Sequence, residues 1–171
     1  MKNNRKIAFA GIFASLCIVF LAIGSFFQTL DLSAAALGSI IVMIAYIELG
    51  KGWALGVYAV ASILSILLLP YKTAAAVFAL FVGFYPILKF YLNRIKPLAL
   101  SYAARIICFN IFLSALIYVA TKLLGIEEDF LNFGLAIYAL YNVTFVVFDF
   151  ALERLADFYV FRIKPKLFGK R

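Results

Sequence analysis

The chain has 171 residues, of which 67% are hydrophobic and only 14% are charged, and its mean hydropathy is +1.07. Soluble domains are about half apolar, so this composition excludes an ordinary soluble domain and indicates an integral membrane protein. The net charge of +8 is therefore first a signal of membrane orientation rather than of nucleic-acid binding. The chain contains no histidine, which removes the commonest metal ligand and general base.

Apolar runs separated by turns or charges predict six transmembrane helices, since about 20 apolar residues cross a bilayer. In chain order the predicted spans are residues 7–30, 33–49, 53–70, 73–93, 98–124 and 130–150. The first run is too long for the apolar part of a secretory signal peptide, so it predicts a transmembrane helix. The connections are short, and consecutive helices are expected to be antiparallel neighbours in a single transmembrane domain, residues 1–171.

The distribution of Lys and Arg predicts the orientation of these helices. An even number of spans places both termini on the same side of the membrane. With a cytoplasmic amino terminus, all of the 16 Lys and Arg residues except Lys72 and Lys122 fall on the cytoplasmic side. The positive-inside rule therefore predicts an all-α six-helix transmembrane bundle with both termini in the cytoplasm.

Beyond the sixth span, apolar residues continue at helical spacing, which predicts a helix that emerges at the membrane interface. Four charged residues stand between them: Glu153, Arg154, Asp157 and Arg162. A basic tail from Lys164 to Arg171 follows. The tail is interpreted either as a topology signal or as a contact with anionic lipid headgroups, to which each cation contributes about 1 kcal/mol.

Small residues cluster near the predicted cytoplasmic end of the first helix. Ala10 and Ala14 are four residues apart, and Gly11 and Ser15 form a second pair beside them. Helices in lipid associate closely where small residues let their backbones approach, so such pairs indicate helix packing, within the chain or with a partner. Similar stripes occur on the third and fourth spans: Gly52 and Gly56, then Ala75, Ala79 and Gly83.

With the AxxxA pattern of Ala10 and Ala14, six spans and cytoplasmic termini, the chain resembles the substrate-binding S components of energy-coupling factor (ECF) transporters. The resemblance covers the whole chain by length and topology. It implies that Ala10, Gly11 and Ala14 pack on a transmembrane T subunit driven by two ATP-binding subunits, in the cytoplasmic membrane of a bacterium. The chain has no GxxxxGK[ST] phosphate-binding loop, so its partners would hydrolyse the ATP.

The resemblance also implies a pocket for a small organic, vitamin-like substrate in the outer half of the bundle. The polar residues predicted at that depth are Gln28, Asp31, Tyr71, Lys72, Tyr118, Tyr138, Tyr141 and Asn142. Tyr138, Tyr141 and Asn142 share one helical face, where two rings and an amide suit a planar heterocycle. An unpaired amide is costly at the depth of Asn142, and a hydrogen bond to another helix is the competing interpretation.

Charged residues also occur near the predicted cytoplasmic ends of the spans, where long side chains reach the headgroups. They are Glu48, Lys89, Arg105 and Asp149. Arg105 and Asp149 are expected to form an ion pair between the fifth and sixth helices, with a proton relay as the alternative. Asn110 is expected to form an interhelical hydrogen bond.

Two other functions fit parts of the sequence. A lipid-modifying enzyme would need a metal site or nucleophile, and Asp149, Glu153 and Asp157 recur four apart on one helical face, although neighbouring arginines favour charge pairing. A scaffold of the cell-envelope machinery would use the small residues of the first helix as a permanent contact. We expect a protein without enzymatic activity, cofactor, metal or nucleic-acid partner.

Overall fold

The computed structural model describes residues 3–123 and 134–165, and within them the chain is helical with no β-strand. The predicted all-α fold class is confirmed for these residues. Four of their helices are long and apolar enough to cross a membrane, and a further apolar stretch, Ala99–Ala115, is shorter. This architecture is compatible with a helical membrane protein, while the count of six spans and the cytoplasmic termini stay predictions.

The helices follow the predicted spans. In chain order they are α1 Asn3–Phe26, α2 Asp31–Leu49, α3 Lys51–Leu68, α4 Thr73–Leu92, α5 Leu98–Leu123 and α6 Gly134–Phe158. The connection at 125–129, the first residues of the sixth predicted span and the end of the basic tail lie outside the described residues.

Two boundaries differ from the predictions. The first helix ends at Phe26 because a 3-10 turn, Gln28–Leu30, already leads into α2. The sixth helix extends past the predicted span to Phe158 and then as a π-helical turn, Tyr159–Ile163, which confirms the helix predicted beyond that span. A span predicted from hydropathy ends at the first charged residues. The helix itself, which is held by backbone hydrogen bonds, continues where those charged side chains have ion-pair partners or contact water.

The described residues form two compact units. Unit 1 comprises residues 3–90 and 152–165, and unit 2 comprises 91–123 and 134–151. Helices α1 and α3 begin at one end of unit 1, and helices α2 and α4 end there. We call it the amino end of unit 1. The opposite end is called the far end.

Close backbone approach organises the interior of unit 1. A methyl group on Gly24 would collide with the Ala34 side chain, and one on Gly38 would lie 3.0 Å from the Phe78 ring. Gly50, whose φ of 92° favours glycine, is the single residue between α2 and α3. Short connections and small residues therefore pack antiparallel helices at distances that larger side chains would prevent.

Helix α4 contains a π-helical turn at Phe78–Val82. The amide of Gly83 donates to the Phe78 carbonyl at 2.8 Å, five residues back. Pro86 has no N–H for the carbonyl four residues earlier, so the regular ladder is interrupted there. A side chain at Gly83 would lie 2.7 Å from the Phe78 ring, which leaves room only for glycine.

The end of α6 and its π-helical extension complete unit 1 at the amino end. Lys89 lies 3.5 Å from Glu153, and Lys164 lies 3.1 Å from Glu48. The Tyr159 hydroxyl donates to the same Glu48 carboxylate at 3.3 Å. Burial, with the charge and hydrogen bond of Glu48, raises the pKa of Tyr159 to about 12.

Unit 2 is an antiparallel pair formed by α5 and residues 134–151 of α6. The rings of Phe109 and Phe145 stack between them, with centroids 4.3 Å apart and planes 4° from parallel. Polar contacts lie on both sides of this stack along the pair.

Candidate ligand-binding and docking sites

The small residues near the start of α1 differ in burial. Ala14 is 6% exposed and packs inside unit 1, and Ala10 is half-buried. Gly11 is exposed, and a Cβ atom built on it would meet no atom within 4 Å. Of the three residues predicted to contact a partner, Gly11 therefore faces away from the packed helices and Ala14 faces into them.

Helix α3 carries two further open glycines at the same end of unit 1. Gly52 and Gly56 are exposed, and neither would meet an atom within 4 Å if it carried a Cβ. Helices α1 and α3 pack against each other. We call Gly11, Gly52 and Gly56 the open glycines. The small residues of α4 differ from them, because Ala75 and Gly83 are buried.

At the far end of unit 1, two side chains connect the α1–α2 region with the start of α4. The Ser25 hydroxyl donates to the Tyr71 carbonyl at 2.9 Å and accepts from its amide at 3.1 Å. The Thr73 hydroxyl donates to Oδ2 of Asp31. The other Asp31 oxygen is buried with no hydrogen-bond partner among the described residues. The structure thus brings Asp31 and Tyr71 to one end of unit 1.

Lys72 is at this end too, but its ammonium group forms hydrogen bonds with the carboxyl end of α3. It donates to the carbonyls of Ile66 at 2.6 Å and Leu69 at 2.5 Å. A cation at the carboxyl end of a helix satisfies carbonyls that lack helical partners. Tyr71 is 51% exposed, and Gln28 is described only by its backbone.

In unit 2, Asn142 pairs with Asn110 across the two helices. Each side-chain amide donates to the oxygen of the other, at 2.9 Å and 3.0 Å. The second donor contacts are to the Ile106 carbonyl at 2.8 Å and the Tyr138 carbonyl at 2.9 Å. The interhelical hydrogen bond weighed for Asn142 is therefore present, and Asn110 is its partner.

The tyrosines predicted to line the pocket have different surroundings. The hydroxyl groups of Tyr138 and Ser114 form a hydrogen bond of 2.7 Å. Tyr141 and Tyr118 are 40% and 66% exposed. The structure thus places Tyr138 beside Asn142 in a shared network and leaves the other two tyrosines on the surface. Ser114 was not predicted, because a serine within an apolar helix commonly bonds its own backbone.

The ion pair expected between Arg105 and Asp149 is present. Their side chains are 4% and 8% exposed, and Nη1 lies 2.8 Å from Oδ2. The second terminal nitrogen of the guanidinium, Nη2, donates to Oδ1 of Asn93 and, at 3.3 Å, to the Ser101 hydroxyl. No sequence pattern points to Asn93 or Ser101, since short polar side chains near helix ends usually bond to water or backbone. The guanidinium also lies 4.5 Å from the centroid of the Tyr102 ring.

A cavity of about 100 Å³ lies beside this ion pair in unit 2. We call it the α5–α6 groove. Besides the two ions it is lined by apolar and aromatic side chains, including Tyr102, Ile106, Val146 and Phe150.

Two of the three acidic residues spaced four apart on α6 have ion-pair partners, and these partners are different. Asp149 pairs with Arg105, and Glu153 with Lys89, while Asp157 is exposed. Among the described residues, no three His, Cys, Asp or Glu side chains lie close enough together to hold a metal ion.

Comparisons with family models, with curated proteins and with solved structures find no match to this chain.

Proposed function

We propose that this protein is the substrate-capture S component of an ECF-type uptake transporter in the cytoplasmic membrane of a bacterium. It binds a small, vitamin-like organic molecule from the outer side and has both termini in the cytoplasm. Its amino end docks on a T subunit, and two ATP-binding subunits supply the energy. ATP hydrolysis then reorients the bundle and releases the molecule inside.

The open glycines are the observation that carries this proposal. A glycine in a helix costs roughly 1 kcal/mol relative to alanine, and a lipid-facing position gives no compensation for that loss. Gly11, Gly52 and Gly56 make no close internal contact, unlike Gly24 and Gly83. Close approach of another chain's helix offers that compensation, because exposed glycines let two backbones come together. The positive-inside rule assigns their end of the molecule to the cytoplasmic side.

Substrate capture is assigned to the opposite side of the membrane. The proposed contributors are Tyr138 and Asn142 of unit 2. The two asparagine amides form a cyclic pair in which each donates to and accepts from the other. A planar heterocycle with an amide edge offers the same donor and acceptor groups as either asparagine of that pair.

The docking proposal is tested by co-purification from the native membrane. Gly11→Leu fills the open space on α1 without an internal clash, so we expect it to remove a T subunit and both ATPases from the purified complex. Ala103→Leu adds similar bulk to an exposed position of α5 and should retain them. Loss of the same partners from both variants, or from neither, would refute docking through the open glycines.

Substrate capture is tested by mass spectrometry of small molecules released from the purified protein. Wild type should retain one planar organic compound, and Asn142→Ala should retain much less of it. Thr144→Val, which alters a hydroxyl that donates to the Leu140 carbonyl of its own helix, should retain the compound fully.

A scaffold of the cell-envelope machinery is the second candidate. It is favoured by the reciprocal pairing of Asn110 and Asn142, because these amides satisfy each other without a ligand. The same co-purification separates the two functions. Envelope-synthesis proteins with no retained metabolite would establish the scaffold, whereas two ATPases and a metabolite would establish the transporter.

A further inference from the structure

We propose that the α5–α6 groove binds one anionic phospholipid, with part of an acyl chain in the groove and the phosphate group at Arg94 and Lys96. This inference does not depend on the transport function. It rests on the shape of the groove and on the charges at one end of unit 2.

The walls of the groove suit hydrocarbon. Ile106, Val146 and Phe150 line it and are 40%, 51% and 58% exposed, so they are open to the surroundings of the helix pair. A water molecule needs two to four polar partners, which the apolar walls of the groove do not supply. A flexible acyl chain fills such a space with no loss of hydrogen bonds.

The ion pair of Arg105 and Asp149 makes the groove itself a poor site for a charged group. Arg105 and Asp149 neutralise each other at 2.8 Å, so the groove itself presents no net charge to an anion. The Asn93 side chain accepts from the Arg105 guanidinium, which places the turn before α5 next to the groove. Arg94 and Lys96 are exposed in that turn. An apolar groove with two cations at one end is complementary to a lipid that carries a negative headgroup.

Tyr102 marks the boundary between the two parts of this site. Its ring lines the groove and lies 4.5 Å from the Arg105 guanidinium carbon. Tyrosine is favoured at the membrane interface, where the ring lies against hydrocarbon and the hydroxyl meets the polar headgroups. The site therefore distinguishes lipids by headgroup charge, since a zwitterionic lipid presents its own cation to Arg94 and Lys96.

Fluorescence quenching by brominated lipids tests this proposal on the full chain in vesicles. The chain has one tryptophan, Trp53, so Trp53→Phe with Phe150→Trp places a single reporter in the groove. Each cation near the membrane surface contributes about fivefold to anionic-lipid affinity, so brominated phosphatidylglycerol should bind about 25-fold more strongly than brominated phosphatidylcholine. Val146→Trp is a second reporter position in case Phe150→Trp impairs folding.

Two charge variants decide the outcome. Arg94→Gln with Lys96→Gln should reduce the preference to near unity, while Arg5→Gln with Lys6→Gln removes the same charge from unit 1 and should leave it unchanged. Equal quenching by the two lipids before any charge is removed would overturn the proposal. So would a preference that survives in the Arg94/Lys96 variant or disappears in the Arg5/Lys6 variant.

Discussion

The two units of this protein hold their helices together in different ways. Unit 1 packs its backbones closely at small residues such as Gly24 and Gly83, where an added methyl group would collide with a neighbouring side chain. Unit 2 uses side-chain polar contacts along one helix pair, including Arg105 with Asp149 and Asn110 with Asn142. Lipid gives little hydrophobic driving force for helix association. In unit 1 dispersion between closely packed helices takes its place, and in unit 2 hydrogen bonds and charge pairing do so.

The two units respond differently to mutation. Close packing is sensitive to added atoms, because an extra methyl group clashes with the neighbouring helix. A polar contact is sensitive to removed atoms, because the remaining partner is buried without compensation. The two units should therefore respond oppositely to enlarging and to deleting substitutions.

The largest expected effect is in unit 2. Asp149→Ala leaves the buried Arg105 guanidinium without its counter-charge, and the free energy of unfolding in detergent micelles should fall by about 3–5 kcal/mol. Asp157→Ala removes an exposed acid from the same helix and is the matched control, with little change expected. A double variant, Arg105→Met with Asp149→Met, should lose much less than Asp149→Ala. A loss as large in the double variant would show that charge compensation is not what stabilises this contact.

The next effect is in unit 1. Gly24→Ala places a methyl group against Ala34 and should destabilise the fold by about 1–3 kcal/mol. Gly11→Ala adds the same group in open space and should be neutral or stabilising by up to about 1 kcal/mol, since alanine is the better helix former. Thermal unfolding of both variants in the same detergent measures the difference. Equal melting temperatures would remove the packing distinction between internal and open glycines.

A smaller effect is expected at the asparagine pair. Asn142→Ala should lower the free energy of unfolding by about 0.6 kcal/mol and by no more than about 1.7 kcal/mol, the typical and the largest contributions of interhelical hydrogen bonds in membranes. Because Asn110 and Asn142 bond to each other, Asn110→Ala should add little once Asn142 is alanine. A double-mutant cycle measures this coupling. Strictly additive losses would mean that each amide is stabilised mainly by its own helix.

The smallest effect concerns the extension of α6. Lys164→Gln removes a partly exposed ion pair with Glu48, so the loss should not exceed about 1 kcal/mol and should shrink further at high salt. Tyr159→Phe removes the hydroxyl that donates to the same carboxylate, in a buried position, and should cost more than the lysine substitution. The reverse order in chemical unfolding would show that charge rather than burial stabilises the extension.

Much of the architecture was available from the sequence. Long apolar runs predicted helices α1 to α4 to within a few residues, because length and hydropathy are local properties. The ion pair of Arg105 with Asp149 was also predictable, since a charge within an apolar run needs an opposite partner at the same depth. The amide of Asn142 required a partner for the same reason.

Only the tertiary structure decided which faces of these helices meet. Helix α1 is apolar on all sides, so its sequence carries no amphipathic signal for its rotation about its own axis. That rotation makes Ala14 internal and Gly11 open, although they are only three positions apart and both are small. Likewise, Glu48 and Lys164 are far apart in sequence, and their contact depends on the packing of α6's extension in unit 1. The sequence determined that the chain is helical and apolar enough for a membrane, because composition and local pattern dictate that. The pairing of particular side chains is a property of helix rotation and register, which long-range packing alone specifies.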